Sequence, residues 1–229
     1  MMTKKNIIIL TLILLNICFI VKNICLILTN NTNIDYKIEE KKVSNINDDE
    51  KCKINVYYPV SDYSKLNDLV VKTLNGYISN FKKSVLEGDD LPNQYFSLYI
   101  LYTKYEFEDY LSYVFRVSTF LGGAHPDNTI FTINYDKKND QFIDINNLIQ
   151  KNNKILQIMS IESRENFFKN PLFKDKLVYD MMLEGTSNSK DNFKNFVFSK
   201  DGLIIFFPQY QVAPYSYGEF NVTIPYDKI

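Results

Sequence analysis

The chain has 229 residues, with 26 Lys and Arg against 27 Asp and Glu and a net charge of −1. This length is enough to bury one hydrophobic core without disulfides or metals, and the lack of a basic surplus argues against nucleic-acid binding. Because Cys18 and Cys25 fall in an apolar N-terminal run, Cys52 is the one thiol expected in the folded part. We therefore expect no disulfide, no zinc site and no cofactor.

The N-terminal segment 7–28 is apolar apart from four polar positions, one of which is Lys22. As a helix it would extend about 33 Å, which is enough to cross the hydrocarbon core of a bilayer. Lys22 lies close enough to the end of the segment for its side chain to snorkel to the interface. Lys4 and Lys5 precede the segment and predict a cytoplasmic N-terminus, with the rest of the chain outside the membrane.

Two other interpretations of this segment are a cleaved signal peptide ending near Val21 and a lipoprotein signal. Residues 16–28 contain none of the small residues that precede a signal cleavage site. Large isoleucines also precede both Cys18 and Cys25, where a lipoprotein signal needs a small residue. The sequence therefore favours an uncleaved single-pass anchor in the cell membrane that contacts the lipid bilayer through residues 7–28.

A single domain is predicted at residues 53–229, and the polar, charged residues 29–52 predict a disordered tether before it. The domain begins with a short strand ended by Pro59 and an amphipathic helix over 64–87. Three aromatic and β-branched strands are then predicted at 95–107, 111–121 and 129–135.

In the second half of the domain, predicted strands and helices do not alternate regularly. A turn at 136–140 leads into a short helix through Ile149, capped by Asp144 or Asn146. Further predicted elements are one or two helices over 153–183, broken by Pro171, and strands at 196–198, 203–207 and 219–224. Because strands and helices segregate, we predict an α+β fold with a largely antiparallel sheet packed against a few helices, preceded by one transmembrane helix.

His125 is the only histidine, and it lies in the loop Gly122-Gly123-Ala124-His125-Pro126. It is a candidate general base or metal ligand, but a catalytic metal usually needs about three protein ligands and no second histidine exists. We favour a turn that His125 stabilises by hydrogen bonding, with ligand recognition as the next interpretation.

Carboxylates and tyrosines supply two more patterns. Asp136, Asp140 and Asp144 recur four apart but lack the glycine-centred spacing of a calcium loop, so we expect a solvated turn and no metal site. Three tyrosines follow Pro208 in a stretch poor in strands, where loop tyrosines are good anchors for recognition. We therefore predict a ligand-binding site that contains His125, Tyr210, Tyr215 and Tyr217.

Three stretches of the domain carry a family resemblance. They are Ile54–Pro59 with the helix Leu66–Phe81; Phe120–His125 continuing through Ile133–Asp136 to Ile143–Ile149; and Leu203–Phe207 with Tyr210–Tyr215, Gly218 and Ile224–Tyr226. Together they resemble a bacterial family of uncharacterised extracytoplasmic domains. The same module forms the outer region of the anti-sigma-V factor RsiV and the N-terminal part of the peptidoglycan deacetylase PdaC.

The resemblance implies an α+β domain outside the membrane, which in the anti-sigma relative senses lysozyme. The chain lacks a cytosolic sigma-binding region and ends where a deacetylase domain would begin, so we expect neither of those activities. We expect a membrane-anchored, non-enzymatic binding or sensing module that recognises a cell-wall fragment or an extracellular protein such as lysozyme. The alternative is a cell-wall hydrolytic enzyme, or an enzyme-accessory domain, that uses His125.

Overall fold

The computed structural model describes residues 40–46, 52–87 and 95–229. The predicted anchor at 7–28 lies outside the described residues, as does most of the predicted tether. Within the described ranges, no helix combines the length and the apolar character needed to cross a bilayer.

The described residues form nine strands and four α-helices. The strands are β1 (Glu40–Ile46), β2 (Cys52–Pro59), β3 (Phe96–Phe107), β4 (Tyr110–Phe120), β5 (Asp127–Asp136), β6 (Gln141–Ile143), β7 (Phe196–Ser199), β8 (Gly202–Phe207) and β9 (Phe220–Ile224). The helices are α1 (Ser64–Glu87), α2 (Ile145–Lys151), α3 (Ile155–Phe167) and α4 (Lys176–Gly185). The predicted α+β class is confirmed.

The strands form two sheets. The six-stranded sheet has the order β1-β2-β3-β4-β5-β6, and the three-stranded sheet has the order β7-β8-β9. Neighbouring strands are antiparallel except β2 and β3, which are parallel because α1 connects them as a crossover. The larger sheet is therefore mixed, a feature that the sequence analysis missed together with the division into two sheets.

β1 lies inside the segment that we expected to be a tether. It pairs antiparallel with β2 over its whole length, so the sheet begins before the predicted domain boundary at residue 53. The charged sequence Glu40–Lys42 gave no strand pattern. Such a segment forms a strand only when its backbone finds an edge to pair with, and charged residues are common on edge strands.

Each sheet is covered by helices on one side. The apolar positions of α1, which include Leu66, Val70, Leu74 and Phe81, are buried against one face of the six-stranded sheet. The four residues recur at intervals of four or seven along the helix, which places them on one face, as in an amphipathic helix. A second core joins α2, α3 and α4 to the three-stranded sheet.

The two sheets contact each other through a small third cluster. Val114 of β4, Val197 of β7 and Phe206 of β8 are buried together, with Tyr105 and Ile130 packed against them. This contact covers part of the six-stranded sheet and leaves another part of the same face open, as the 53% exposure of Leu101 in β3 shows.

The three carboxylates that recur four apart have separate structural roles. Asp136 is 4% exposed and accepts hydrogen bonds from the backbone N–H groups of Lys138 and Asn139, so the expectation of a solvated turn is wrong for this residue. Asp140 is paired with Lys65 and with the Tyr135 hydroxyl. Asp144 caps α2, which confirms one of the two predicted caps.

A charged cluster at the end of β3 generates a prediction about acid stability. The Glu106 carboxylate lies 2.7 Å from the Lys104 ammonium and 2.8 Å from that of Lys137. Hydrogen bonds from Lys104 and then Lys137 lower the pKa of Glu106 from 4.5 to about 2. Because the folded pKa lies below the unfolded one, the stabilisation is present above pH 4.5 and is lost as the pH falls towards 2.

We expect Glu106→Gln to lower the free energy of unfolding at pH 7 by about 0.5–1 kcal/mol, because the three charged side chains are partly exposed and solvent screens their interaction. The variant should also show a shallower loss of stability between pH 4.5 and pH 2. Denaturant unfolding at several pH values measures both effects, and added salt should narrow the difference. Parallel pH profiles for variant and parent would contradict this assignment.

Candidate ligand-binding site

Two loops meet beside the open part of the six-stranded sheet. The first joins β4 to β5 and contains Gly122, whose φ of 82° suits glycine. The second joins β8 to β9 and carries a 3₁₀ turn, Tyr215–Tyr217, that follows Pro214. The rings of His125 and Tyr215 stack across the two loops, with their centroids 4.0 Å apart.

His125 is fixed by its own loop as well as by Tyr215. Its Nδ1 atom lies 2.9 Å from the Pro126 carbonyl oxygen. Because a carbonyl can only accept, we assign the proton to Nδ1, which leaves Nε2 as an acceptor in the neutral ring. In the described part of the chain no carboxylate is hydrogen-bonded to His125.

Side-chain amides hold Tyr215 from both ends. The Asn128 Nδ2 atom donates to Gln209 Oε1 at 2.7 Å and to the Tyr215 hydroxyl at 3.1 Å. Gln209 Nε2 donates to the Tyr215 carbonyl at 2.9 Å, and the Tyr215 hydroxyl donates to the Pro126 carbonyl at 3.1 Å. This network, the Asn128–Gln209 bridge, fixes the tyrosine ring rigidly between the two loops.

The remaining two predicted residues are exposed on the same loop. Tyr210 is 58% exposed, has a φ of 68°, and places its ring 5.5 Å from that of Tyr215. Tyr217 is 51% exposed at the end of the 3₁₀ turn. The structure therefore brings His125, Tyr210 and Tyr215 together as an aromatic cluster, with Tyr217 on the neighbouring turn. Their role in binding stays a prediction.

A cleft of about 300 Å³ lies on one side of the Asn128–Gln209 bridge. Its walls include Tyr99 and Leu101 from the open sheet face, together with Arg116 and Glu219. We call it the Arg116 cleft. Its lining combines exposed apolar side chains with amide and charged groups, as small-ligand sites do.

Arg116 is held in place by the cleft walls. Its Nε and Nη2 atoms donate to the Glu219 carboxylate at 2.8 and 2.6 Å, and Nη1 donates to Thr103 Oγ1 at 3.2 Å. The hydrogen bond to Glu219 raises the pKa of Arg116, so the guanidinium stays charged. The sequence analysis missed this pair, although an arginine in the middle of an apolar strand was a usable signal.

The loop that carries Tyr210 is anchored at α4. Gln211 Nε2 donates to the carbonyl oxygens of Gly185 and Asn192, each at 2.9 Å, and Val212 and Ala213 are buried. Gly185 lies so close that an added Cβ atom would be 2.0 Å from the Gln211 carbonyl oxygen.

Across the residues that the structure describes, no three histidine, cysteine or acidic side chains are grouped so that they could hold a metal ion.

Comparison with known proteins shows a family similarity over part of the chain. Residues 129–227 match the family described as "Protein of unknown function (DUF3298)". The chain is 26% identical over 182 residues to the Bacillus subtilis (strain 168) peptidoglycan-N-acetylmuramic acid deacetylase PdaC. The aligned part is 78% of this chain but only 38% of the deacetylase. The predicted family resemblance is confirmed, while the link to RsiV stays a prediction.

Solved structures share the fold. A DUF3298 family protein from Pseudomonas aeruginosa PAO1 has a TM-score of 0.64 at 14% identity, covering 86% of this chain and 94% of that one. A member of the family from Bacteroides fragilis has a TM-score of 0.57 at 18% identity, covering 84% and 91%. At these identities the comparison establishes the fold alone.

The anchoring of the Tyr210 loop can be tested with two glycine substitutions. We expect Gly185→Ala to lower the free energy of unfolding by about 1–3 kcal/mol, because the new methyl group meets rigid backbone. Gly76→Ala is the matched control, since Gly76 is exposed in α1 and an added Cβ atom would meet no other atom within 4 Å. It should stabilise by about 0.5–1 kcal/mol. Thermal or denaturant unfolding measures both, and equal effects would contradict the close approach.

Proposed function

We propose that this chain is a binding module of the bacterial cell envelope and that its aromatic cluster recognises a cell-wall fragment. The observation that carries this proposal is the rigid placement of His125 and Tyr215 by the Asn128–Gln209 bridge, next to an open cleft. Relatedness to a cell-wall-modifying enzyme supports the envelope association. The match covers only 38% of that enzyme, so we do not extend deacetylation to this chain.

The chemistry of the site suits a sugar-containing ligand. An aromatic ring gains free energy by removing water from the apolar C–H face of a sugar ring. The amide groups of Asn128 and Gln209, and the Nε2 atom of His125, offer donors and acceptors beside these rings. Because the ring of Tyr215 is already fixed, little conformational entropy is lost when a ligand is bound.

Recognition explains the state of His125 better than catalysis. Its Nδ1 atom is engaged by a backbone carbonyl and one ring face is covered by Tyr215. We therefore propose that His125 binds ligand and stabilises its loop, and that the chain does not hydrolyse the wall. Hydrolysis of peptidoglycan by the purified full-length protein that disappears in His125→Ala would overturn this part of the proposal.

The binding role of the cluster predicts a loss of affinity on truncation of Tyr210. We expect Tyr210→Ala to weaken binding of a soluble muropeptide by roughly five- to thirtyfold, because about 1–2 kcal/mol of aromatic contact is removed. Isothermal titration of the full-length protein measures this change. Tyr179→Ala is the matched control, because Tyr179 is a partly exposed tyrosine on α4; its affinity should equal that of the parent.

An extracellular protein such as lysozyme is the other ligand to be titrated. Binding of lysozyme, with no binding of muropeptides, would replace the cell-wall ligand by a protein ligand at the same cluster, provided that Tyr210→Ala weakens it. Binding of neither probe would contradict the proposed function.

We also propose that residues 7–28 anchor the chain in the cell membrane with the domain outside. The apolar character and the preceding Lys4 and Lys5 support this arrangement. Protease is added to intact cells in which it can reach the outer face of the cell membrane. It should digest the domain, while a cytosolic marker survives. Protection of the domain in intact cells, with digestion only after lysis, would contradict the arrangement.

A further inference from the structure

One edge of the six-stranded sheet is only partly covered at β5. β4 pairs with β5 from Asp127 to Asp136, but on the other side β6 pairs only with Asn134–Asp136. Among the described residues, no strand pairs with residues 127–133 on the side away from β4.

The register shows which backbone groups are free along this edge. The Lys137 N–H donates to the Asp109 carbonyl at 2.7 Å, one step beyond the end of the β4–β5 ladder. In an antiparallel ladder, residues alternate between pointing both backbone groups at the partner and pointing both away. Odd-numbered residues of β5 therefore bond to β4. The backbone N–H and C=O groups of Asn128, Ile130 and Thr132 therefore point away from β4, toward the outer edge of the sheet.

A groove of about 680 Å³ runs along this edge. Six consecutive β5 residues, 127–132, form one wall, and residues 208–211 contribute to its lining. Tyr77 and Phe131 also line the groove, with their rings stacked at 5.2 Å. We call this feature the edge groove. Asn128 and Gln209 line both the edge groove and the Arg116 cleft.

The charges that line the edge groove favour a basic occupant. Asp127, Asp191 and Lys194 are its charged residues, and two carboxylates against one ammonium leave a net charge of −1. Lys194 lies 3.9 Å from Asp191, so Asp127 is the carboxylate without an ion pair among the described residues.

We propose that the edge groove binds an extended, basic peptide segment of a partner protein by strand addition to β5. Three outward N–H and three outward C=O groups recur at roughly 6.8 Å, twice the rise of an antiparallel strand. Another extended backbone matches that spacing, and pairing with it satisfies all of these groups. A lysine in the segment complements Asp127. Tyr210 of the aromatic cluster also lines the edge groove, but strand addition to β5 does not rest on the glycan ligand proposed for that cluster.

Amide hydrogen exchange tests the proposal directly. The probe is a seven-residue peptide of alternating threonine and valine with a central lysine, added to the full-length protein. We expect exchange of the Asn128, Ile130 and Thr132 amides to slow at least tenfold. The Thr129 and Phe131 amides, which already bond to β4, should not change. An unchanged exchange rate at all five positions, at peptide concentrations up to solubility, overturns the proposal.

Backbone variants of both partners sharpen the test. Thr132→Pro removes one outward N–H while leaving the β4 ladder intact, so peptide affinity should fall at least fivefold; Thr132→Val keeps the N–H and should bind as the parent does. If Thr132→Pro fails to fold, N-methylation of alternate peptide residues decides instead. One alternate set should abolish binding and the other should not, whereas equal binding of both sets overturns strand addition.

Other occupants have distinct signatures. The three amides could already be protected in the absence of peptide. If that protection rises with protein concentration, a second copy of the chain occupies the edge and the proposal is overturned. Protection without peptide that is independent of concentration assigns it to the chain itself, with the same consequence. A peptide with glutamate in place of lysine should bind at least threefold more weakly, and equal binding overturns the charge preference.

Discussion

The contact between the two sheets is the constraint on which the rest of the architecture depends. Val114, Val197 and Phe206 are buried together and set the separation of the sheets at one end of the β3–β5 face. Because this cluster is small, the other end of that face stays uncovered and Leu101 is exposed. The loops between β8 and β9 then lie over the rim of the open face instead of sealing it. The Arg116 cleft follows from this incomplete cover.

Polar interactions complete what the apolar cluster begins. Arg116 of β4 forms a two-pronged ion pair with Glu219, which lies just before β9, and its guanidinium carbon is 5.7 Å from the Phe206 ring. Partial burial makes such a charge-assisted pair stronger than an exposed one. A second polar link joins Asn128 of β5 to Gln209 and Tyr215 of the loop between β8 and β9. These contacts help to fix the three-stranded sheet and its loops to the larger sheet, which is why rigid aromatic rings occur on loops.

Local sequence signals predicted most of the elements and part of the site. The spacing of Leu66, Leu74 and Phe81 identified α1, and one of the two predicted caps, Asp144, proved to be the start of α2. The loop tyrosines were identified by composition alone, yet the stacking of His125 on Tyr215 was not, because the two residues are 90 positions apart by residue number. The same reason hid the pair of Arg116 and Glu219, which are 103 positions apart.

Periodicity, capping and turn residues act over a few positions, so the amino-acid order by itself established the α+β class, the extents of most strands and helices, and the presence of an aromatic loop. Strand neighbours and sheet edges depend on which distant segments meet during folding. Tertiary structure therefore decided that β1 joins the sheet, that β2 and β3 run parallel, and that β6 pairs with only three residues of β5. Backbone hydrogen bonding is nearly independent of side-chain identity, and for that reason the sequence carries only a weak record of it.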